Sequence, residues 1–179
     1  QTGDKNYLQC TDSIVDCVYV IYAGTGEASG GNANDIWPHM CSINPISIDG
    51  VTVITYACSN ELDGNILVGI GTICHEFGHA LGLPDYYDTD FAGSGGQAEG
   101  LGLWDVMDCG SYNDNGASPA NHNSVSRELL GWQKNKIINA DGSYILPPIT
   151  RDTFAFVILS ASKTEGFYLE NRQKEDFDR

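Results

Sequence analysis

Residues 75–85 read HEFGHALGLPD, and this stretch decides how the rest of the sequence is interpreted. His75 and His79 are four residues apart, so on an α-helix both imidazoles project from one face and can reach one metal ion. Glu76 follows the first histidine, where its carboxylate can hold and deprotonate a water molecule on such an ion. The pattern predicts a metal site on a helix, with a general base beside it.

The next residues predict how the chain leaves this helix. Gly82 can end the helix in a turn, and Pro84 prevents the helix from resuming. Asp85 follows at a distance that lets its carboxylate return as a third ligand, leaving a fourth position open for water as catalytic zinc requires. Asp85 could instead brace the turn, and Asp88 or Asp90 could take the ligand position. The sequence predicts His75, His79 and an aspartate as ligands, with Asp85 preferred.

Length and composition indicate a folded protein of about one domain. Of the 179 residues, 41% are hydrophobic and 18% are charged, while 21 glycines predict many turns and ordered loops. The net charge of −15 argues against nucleic acid and anionic membrane surfaces as partners. No apolar run approaches the roughly 18 residues that span a bilayer. We expect a monomer without a nucleic-acid partner or a membrane span.

The ends and the cysteines add two expectations. Because the chain begins at Gln1 without Met or a signal peptide, we expect a catalytic domain trimmed or processed at one or both ends. None of the six cysteines forms a CxxC pair, which argues against a cysteine zinc knuckle. Cys74 precedes the first histidine and is expected to be a buried free thiol. The sequence leaves open whether the others form disulfides.

Strand patterns flank the metal helix. Residues 16–23 (DCVYVIYA) predict a nearly fully buried strand, and residues 46–57 predict two strands around a turn at Asp49-Gly50. Four short strands are predicted near the end of the chain, at residues 136–138, 144–146, 154–161 and 167–169. These strands indicate an α+β fold.

Two helices are predicted. Residues 66–82 have helical length, but their glycines lower helix propensity, and the early glycines could instead mark a loop with the helix starting near Gly71 or Thr72. Residues 121–132 predict a second helix with Ser124 as its N-cap. We expect a single domain over 1–179, with an upper part over about 1–82 that includes the metal helix. The lower part, over about 83–179, would hold the third ligand.

Several segments together resemble a known family. HEFGHALGLPD followed by a methionine-containing turn resembles the metzincin plan, HExxHxxGxx(H/D) with a Met-turn. More narrowly, HEFGHALGLPDYYDTD (75–90) and GLWDVMDCGSYN (102–113) resemble the immune inhibitor A family of secreted bacterial metallopeptidases, peptidase family M6. The similarity extends to VDCVYVIYAGTGEA (15–28), NDIWPHM (34–40), NSVSRELLGW (123–132) and FYLENRQKEDFD (167–178). It therefore covers most of the chain.

The resemblance implies a secreted bacterial, virulence-type zinc endopeptidase that acts on proteins. It implies His75, His79 and Asp85 as zinc ligands, Glu76 as general base, and Met107 as a floor beneath the metal that does not ligate it. The expected fold is a metzincin-like α+β domain with a twisted mixed sheet, a central HExxH helix, a Met-turn and a strand-rich C-terminal part.

Some alternatives stay open. Tyr112 is a candidate second donor to the oxyanion, or else a packed surface tyrosine. Asp88 and Asp90 could hold a calcium ion in the long loop, or could be solvated aspartates. The chain could also be a weak or inactive protease-like module that binds proteins or peptides, or a zinc hydrolase of non-peptide substrates.

Overall fold

The computed structural model describes residues 13–151 and 154–178. Its contacts divide the chain into two compact units, residues 1–68 and residues 69–179. Over the residues that the structure describes, the first unit is a single sheet with its turns, and the second contains two α-helices, a smaller sheet and long loops. The combination of sheets with few helices confirms the predicted α+β class.

The sheet of the first unit is built around the long strand β4, and it is mixed, as predicted. Its strands are β1 (Ile14–Val15), β2 (Val18–Thr25), β3 (His39–Ile48), β4 (Val51–Asp63) and β5 (Ile66–Leu67). β1 and β2 pair with β4 in parallel, whereas β3 and β5 pair with it antiparallel. A turn of 3-10 helix, Glu27–Ser29, follows β2.

Two predictions for this unit have different outcomes. The turn at Asp49-Gly50 is confirmed: both residues have positive φ, 51° and 84°, which suits the tight connection between β3 and β4. The strand near residues 16–23 is present as β2, but the prediction that it is nearly fully buried is wrong. Val20 and Ile21 are exposed, and among the described residues β2 pairs with β4 alone.

In the second unit, α1 spans Ile70–Ala80 and α2 spans Ser124–Leu129. Turns of 3-10 helix lie at Gly102–Trp104, Cys109–Tyr112 and Asp176–Asp178. The prediction of Ser124 as N-cap is wrong, because Asn123 caps α2. The Asn123 Oδ1 atom accepts hydrogen bonds from the N–H groups of Val125 and Ser126, at 2.8 and 2.9 Å.

The second sheet has three strands, β6 (Lys136–Ile137), β7 (Phe156–Leu159) and β8 (Gly166–Leu169). β7 is central, parallel to β6 and antiparallel to β8. The strand predicted at residues 144–146 is absent from the structure, and Ile145 is 89% exposed. The adjacent Pro147-Pro148 pair lacks the N–H donors that a strand needs to pair.

At the glycines of α1, other parts of the chain approach the helix closely. These contacts explain why a helix forms here although its composition disfavours one. A Cβ on Gly71 would lie 1.8 Å from the carbonyl oxygen of Ser111, so the backbone of the loop packs directly on the helix. The Gly71 N–H also donates to the carbonyl of Gly116 at 2.9 Å. Tertiary packing here outweighs the low helix propensity of glycine.

A small apolar cluster lies beyond the end of α1. Leu83, Val106 and Met107 are buried together, and Cys74 and Tyr86 pack against them. Burial raises the pKa of the Cys74 thiol, which is half-buried and free as predicted. Cys17, Cys41 and Cys109 are free as well. Cys10 lies outside the described residues.

We expect Gly71→Ala to lower the free energy of unfolding by about 1–3 kcal/mol, because the new methyl group meets backbone atoms that cannot rotate away. Urea denaturation followed by circular dichroism measures the change. Gly142→Ala is the matched control: its nearest atom to the new Cβ is 3.5 Å away, so stability should change by less than about 0.5 kcal/mol. Equal losses in both variants would contradict the close packing.

Candidate metal centre

The chain leaves α1 through a Schellman turn, as the glycine predicts. Gly82 has φ of 94°, and its N–H donates to the carbonyl of His79 at 2.9 Å. The Leu83 N–H donates to the carbonyl of Gly78 at 3.0 Å, which completes the motif. This reversal directs the chain towards Asp85, on the side of the helix that holds the two histidines.

Three atoms from these segments form a nearly equilateral triangle. The Nε2 atoms of His75 and His79 are 3.2 Å apart, and Oδ1 of Asp85 lies 3.2 Å from each of them. The histidine rings are almost perpendicular, at 89°. Among the described residues, this is the one group of three or more His, Cys, Asp or Glu side chains close enough to share a metal ion.

The other nitrogen of each histidine ring is held by a backbone carbonyl. Nδ1 of His75 bonds to the carbonyl of Val106, and Nδ1 of His79 to that of Leu83, each at 2.8 Å. A carbonyl can only accept, so both Nδ1 atoms carry a hydrogen and both Nε2 atoms of the neutral rings present lone pairs. Burial, the largest influence, lowers the pKa of His75 and favours its neutral form.

With both rings neutral, the triangle holds three acceptors and no proton to share. Oδ1 of Asp85 is buried and has no hydrogen-bond donor. Such an arrangement is repulsive without a cation at its centre. Ligand atoms at tetrahedral positions ~2.0–2.1 Å from zinc are ~3.3 Å apart, close to the spacing observed here. The donor set and its spacing fit a zinc ion with one position left open.

Met107 lies beneath the segment of α1 that connects the two histidines. It is fully buried, and its Sδ atom would be 2.3 Å from a Cβ placed on Gly78. The buried carboxylate of Asp105 fixes the backbone before it, since Oδ1 accepts from the Met107 N–H at 2.7 Å. Oδ2 accepts from both the backbone and side-chain N–H groups of Asn123, at 2.6 and 2.7 Å. Asp105 thereby joins the methionine turn to the start of α2.

Glu76 follows His75 on α1, Tyr87 lies beside the triangle, and the charge of Glu76 acts on both Tyr87 and Tyr112. Glu76 is 6% exposed. Burial, the charge of Asp85 and its hydrogen bond, and the charge of Glu76 raise the pKa of Tyr87 to about 12. The Tyr87 ring stacks on that of His75, with centroids 6.4 Å apart. Desolvation, and then the charges of Cys109 and Glu76, raise the pKa of Tyr112 as well, although much of that residue is exposed.

Asp88 and Asp90 do not join a metal cluster. Asp88 accepts hydrogen bonds from the N–H groups of Ala98 and Asp90, at 2.8 and 3.1 Å. These bonds lower the pKa of Asp88, and the backbone bond to Ala98 has the largest effect. Asp90 accepts from the N–H of Ser94 at 3.1 Å. Both carboxylates therefore organise their own loop, and the structure gives no support to the predicted calcium ion.

Sequence reasoning did not identify Asp105 or Tyr87 as part of this centre. Asp105 carried a usable signal, because a charged residue within the apolar run LWDVM is expected to be buried with partners. Tyr87 is two residues after Asp85 and lies next to the similar Tyr86. Nothing in the sequence distinguishes the tyrosine that stacks on His75 from the one whose hydroxyl bonds Ser126.

Comparison with known proteins supports the resemblance. Residues 1–139 match the family described as immune inhibitor A peptidase M6, catalytic domain. The chain belongs to this family. The family is one of peptidases, and the predicted resemblance is confirmed.

Two relatives illustrate the match. Immune inhibitor A of Bacillus thuringiensis subsp. alesti is 30% identical over 97% of the chain. The pre-pro-metalloprotease PrtV of Vibrio cholerae serotype O1 is 28% identical over 72% of it. The chain spans only part of the length of these relatives: 27% of immune inhibitor A and 15% of PrtV. Within the described residues, no helix has the length and apolarity needed to cross a membrane.

His122 packs behind the centre without entering the triangle. Its ring meets that of Trp132 edge-on, with centroids 5.7 Å apart, and its Nδ1 atom is buried without a hydrogen-bond partner. Burial, and then the cations Arg127 and Arg172, lower the pKa of His122 from 6.5 to about 4. The folded M6 domain therefore holds this ring in its neutral form.

We expect His122 to make the domain acid-sensitive. The unfolded chain protonates this residue near pH 6.5 and the folded protein only near pH 4, so stability is lost as the pH falls between these values. The loss attributable to this group is at most about 3 kcal/mol. In His122→Gln, urea denaturation at pH 4 to 7 should show a smaller dependence of stability on pH. Identical pH dependence in both proteins would contradict this assignment.

Proposed function

We propose that this M6 domain is a zinc-dependent endopeptidase with a metzincin-like centre. His75, His79 and Asp85 would hold the ion through the three atoms of the triangle. The observation on which the proposal rests is the buried Oδ1 of Asp85, which faces two imidazole lone pairs and has no hydrogen-bond donor. Two imidazoles and one carboxylate are a ligand set that catalytic zinc uses.

When bound, zinc would act as a Lewis acid that lowers the pKa of a water molecule and polarises a carbonyl. Glu76 is the general base in this proposal. It lies one residue after His75 on α1, in a buried position that limits competition from bulk water. Its carboxylate would accept a proton from the attacking water and return it to the leaving amine.

Two side chains would assist. The Tyr112 hydroxyl is assigned as a hydrogen-bond donor to the substrate carbonyl oxygen, because a phenol is protonated at neutral pH and this one is close enough to Glu76 for that charge to act on it. Met107 is assigned as the apolar floor, since its sulfur packs against Gly78 between the two ligand histidines. The backbone carbonyls of Val106 and Leu83 would keep both imidazoles in the tautomer that presents Nε2.

We further propose protein or peptide substrates and an extracellular, bacterial setting. The match to a peptidase catalytic domain supports the substrate class. The relatives are bacterial, and one is described as a pre-pro-metalloprotease. The activity and setting are proposed for the portion of sequence that this chain shares with those relatives.

We expect Glu76→Gln to retain zinc and to lose at least about a thousandfold in casein hydrolysis, because the amide cannot take the proton from water. Elemental analysis measures the metal, and a fluorescent casein assay measures the rate. Glu165→Gln, a change at an exposed glutamate, is the control and should keep full activity. A Glu76→Gln protein as fast as its parent would refute the general-base assignment.

We expect chelation to abolish hydrolysis and stoichiometric zinc to restore it. Asp85→Ala should bind zinc at least about tenfold more weakly, because one of three ligands is removed. Isothermal titration with zinc gives the affinity independently of activity. Asp90→Ala is the matched control, since its carboxylate bonds the loop and lies outside the triangle. Weaker zinc binding in Asp90→Ala than in Asp85→Ala would reverse the ligand assignment.

A further inference from the structure

A cavity of about 600 Å³ lies beside the metal centre and has no role in the proposed chemistry. Its walls come from the loop that follows Asp85, over residues 87–104, and from Asp108 and Cys109 beside Met107. Tyr87, which stacks on His75, forms one part of the wall, and Cys109, which acts electrostatically on Tyr112, forms another. The cavity therefore borders the centre through Tyr87, which stacks on His75 and hydrogen-bonds Asp85.

The cavity is apolar and open to solvent. Large apolar side chains that line it are exposed, among them Phe91, Leu101, Leu103 and Trp104. A cluster of large apolar side chains around a concave surface is typical of a ligand-binding site. Its volume accommodates an aromatic or long aliphatic side chain.

The charged groups of the cavity are all acidic. Asp88, Glu99 and Asp108 line it, and no Lys, Arg or His side chain does so within the described chain. Asp88 and Asp108 hold the loop in shape: Oδ2 of Asp88 accepts from the Ala98 N–H, and Oδ2 of Asp108 accepts from the Gly102 N–H, at 2.8 and 2.7 Å. An acidic ligand would therefore be repelled.

The shape of the cavity does not depend on a bound partner. Besides the two aspartates, the Tyr86 carbonyl accepts from the Leu101 N–H at 3.3 Å, and the Tyr86 N–H donates to the Met107 carbonyl at 3.0 Å. A Cβ on Gly100 would lie 1.9 Å from the Tyr86 carbonyl oxygen, so this backbone crossing is tight. These contacts preform the cavity, which lowers the entropic cost of binding.

We propose that this cavity binds one substrate side chain adjacent to the scissile bond and selects large apolar residues, aromatic or long aliphatic, over small and acidic ones. The inference rests on the proposed peptidase function and adds its substrate class. Leu103 and Trp104 are the specificity-determining residues, because they combine large apolar surface with high exposure at the cavity wall.

The test uses internally quenched peptides that carry Phe, Leu, Ala, Arg or Asp at one position, with the cleaved bond mapped by mass spectrometry. We expect kcat/KM for Phe and Leu to exceed that for Ala by about tenfold or more, with Asp lowest. Leu103→Ala and Trp104→Ala should each reduce cleavage of the Phe peptide about fivefold to tenfold and leave the Ala peptide within about twofold.

Leu129→Ala is the matched control, since Leu129 is 68% exposed against 63% for Leu103 and does not line the cavity. It should leave every peptide unchanged. Equal losses on the Phe and Ala peptides in Leu103→Ala and Trp104→Ala would overturn the proposal. So would a preference for Arg that disappears in Glu99→Gln, because the cavity would then select charge.

A binding measurement separates this inference from the peptidase proposal. Zinc-loaded Glu76→Gln protein is titrated with the Phe and Ala peptides, with and without Trp104→Ala. Tighter binding of the Phe peptide that is lost in Trp104→Ala supports the cavity, even if the parent protein cleaves nothing and the peptidase proposal fails. Cleavage by the parent together with equal binding of both peptides refutes the cavity alone.

Discussion

The second unit depends on the convergence of three candidate ligand atoms at one point. Two imidazole nitrogens and a carboxylate oxygen lie 3.2 Å apart, and the opposite side of each imidazole is fixed by a backbone carbonyl. Folding brings these groups together at an electrostatic cost, which a cation would convert into a gain. The three groups are therefore stable together when a cation is bound between them and unfavourable together without one.

Hydrogen bonds between segments that are distant in the sequence hold these groups together despite the electrostatic cost. Asp105 joins the turn before Met107 to Asn123, and Glu170 accepts from the N–H of Ser124 at 2.8 Å. Arg172, almost fully buried, pairs with Glu170 and Asp178 and donates to the carbonyl of Asn121. The segment after β8 therefore supports the loop that contains Val106, whose carbonyl accepts a hydrogen bond from His75. Residues nearly a hundred positions apart in sequence contribute to one rigid arrangement.

The sequence predicted what is local in this arrangement and missed what is distant. Two histidines at helical spacing and a glycine that ends the helix are short-range features, so the motif specified them. Glycine within α1 suggested only a weak helix, because the Ser111 carbonyl that excludes a side chain at Gly71 comes 40 residues later. Likewise, local propensity suggested a strand at residues 144–146, whereas pairing is decided by distant partners and by the adjacent prolines.

The three candidate aspartates differ in the hydrogen-bond donors that their carboxylates receive. Asp85, Asp88 and Asp90 lie within six residues, and the sequence left all three as ligand candidates. Asp88 and Asp90 receive N–H donors from their own loop, so their charge is already compensated. Asp85 instead presents a buried oxygen that no donor reaches. A carboxylate oxygen left without a donor, while the neighbouring aspartates receive backbone N–H groups, is suited to a metal ion, and this favours Asp85 as the third ligand.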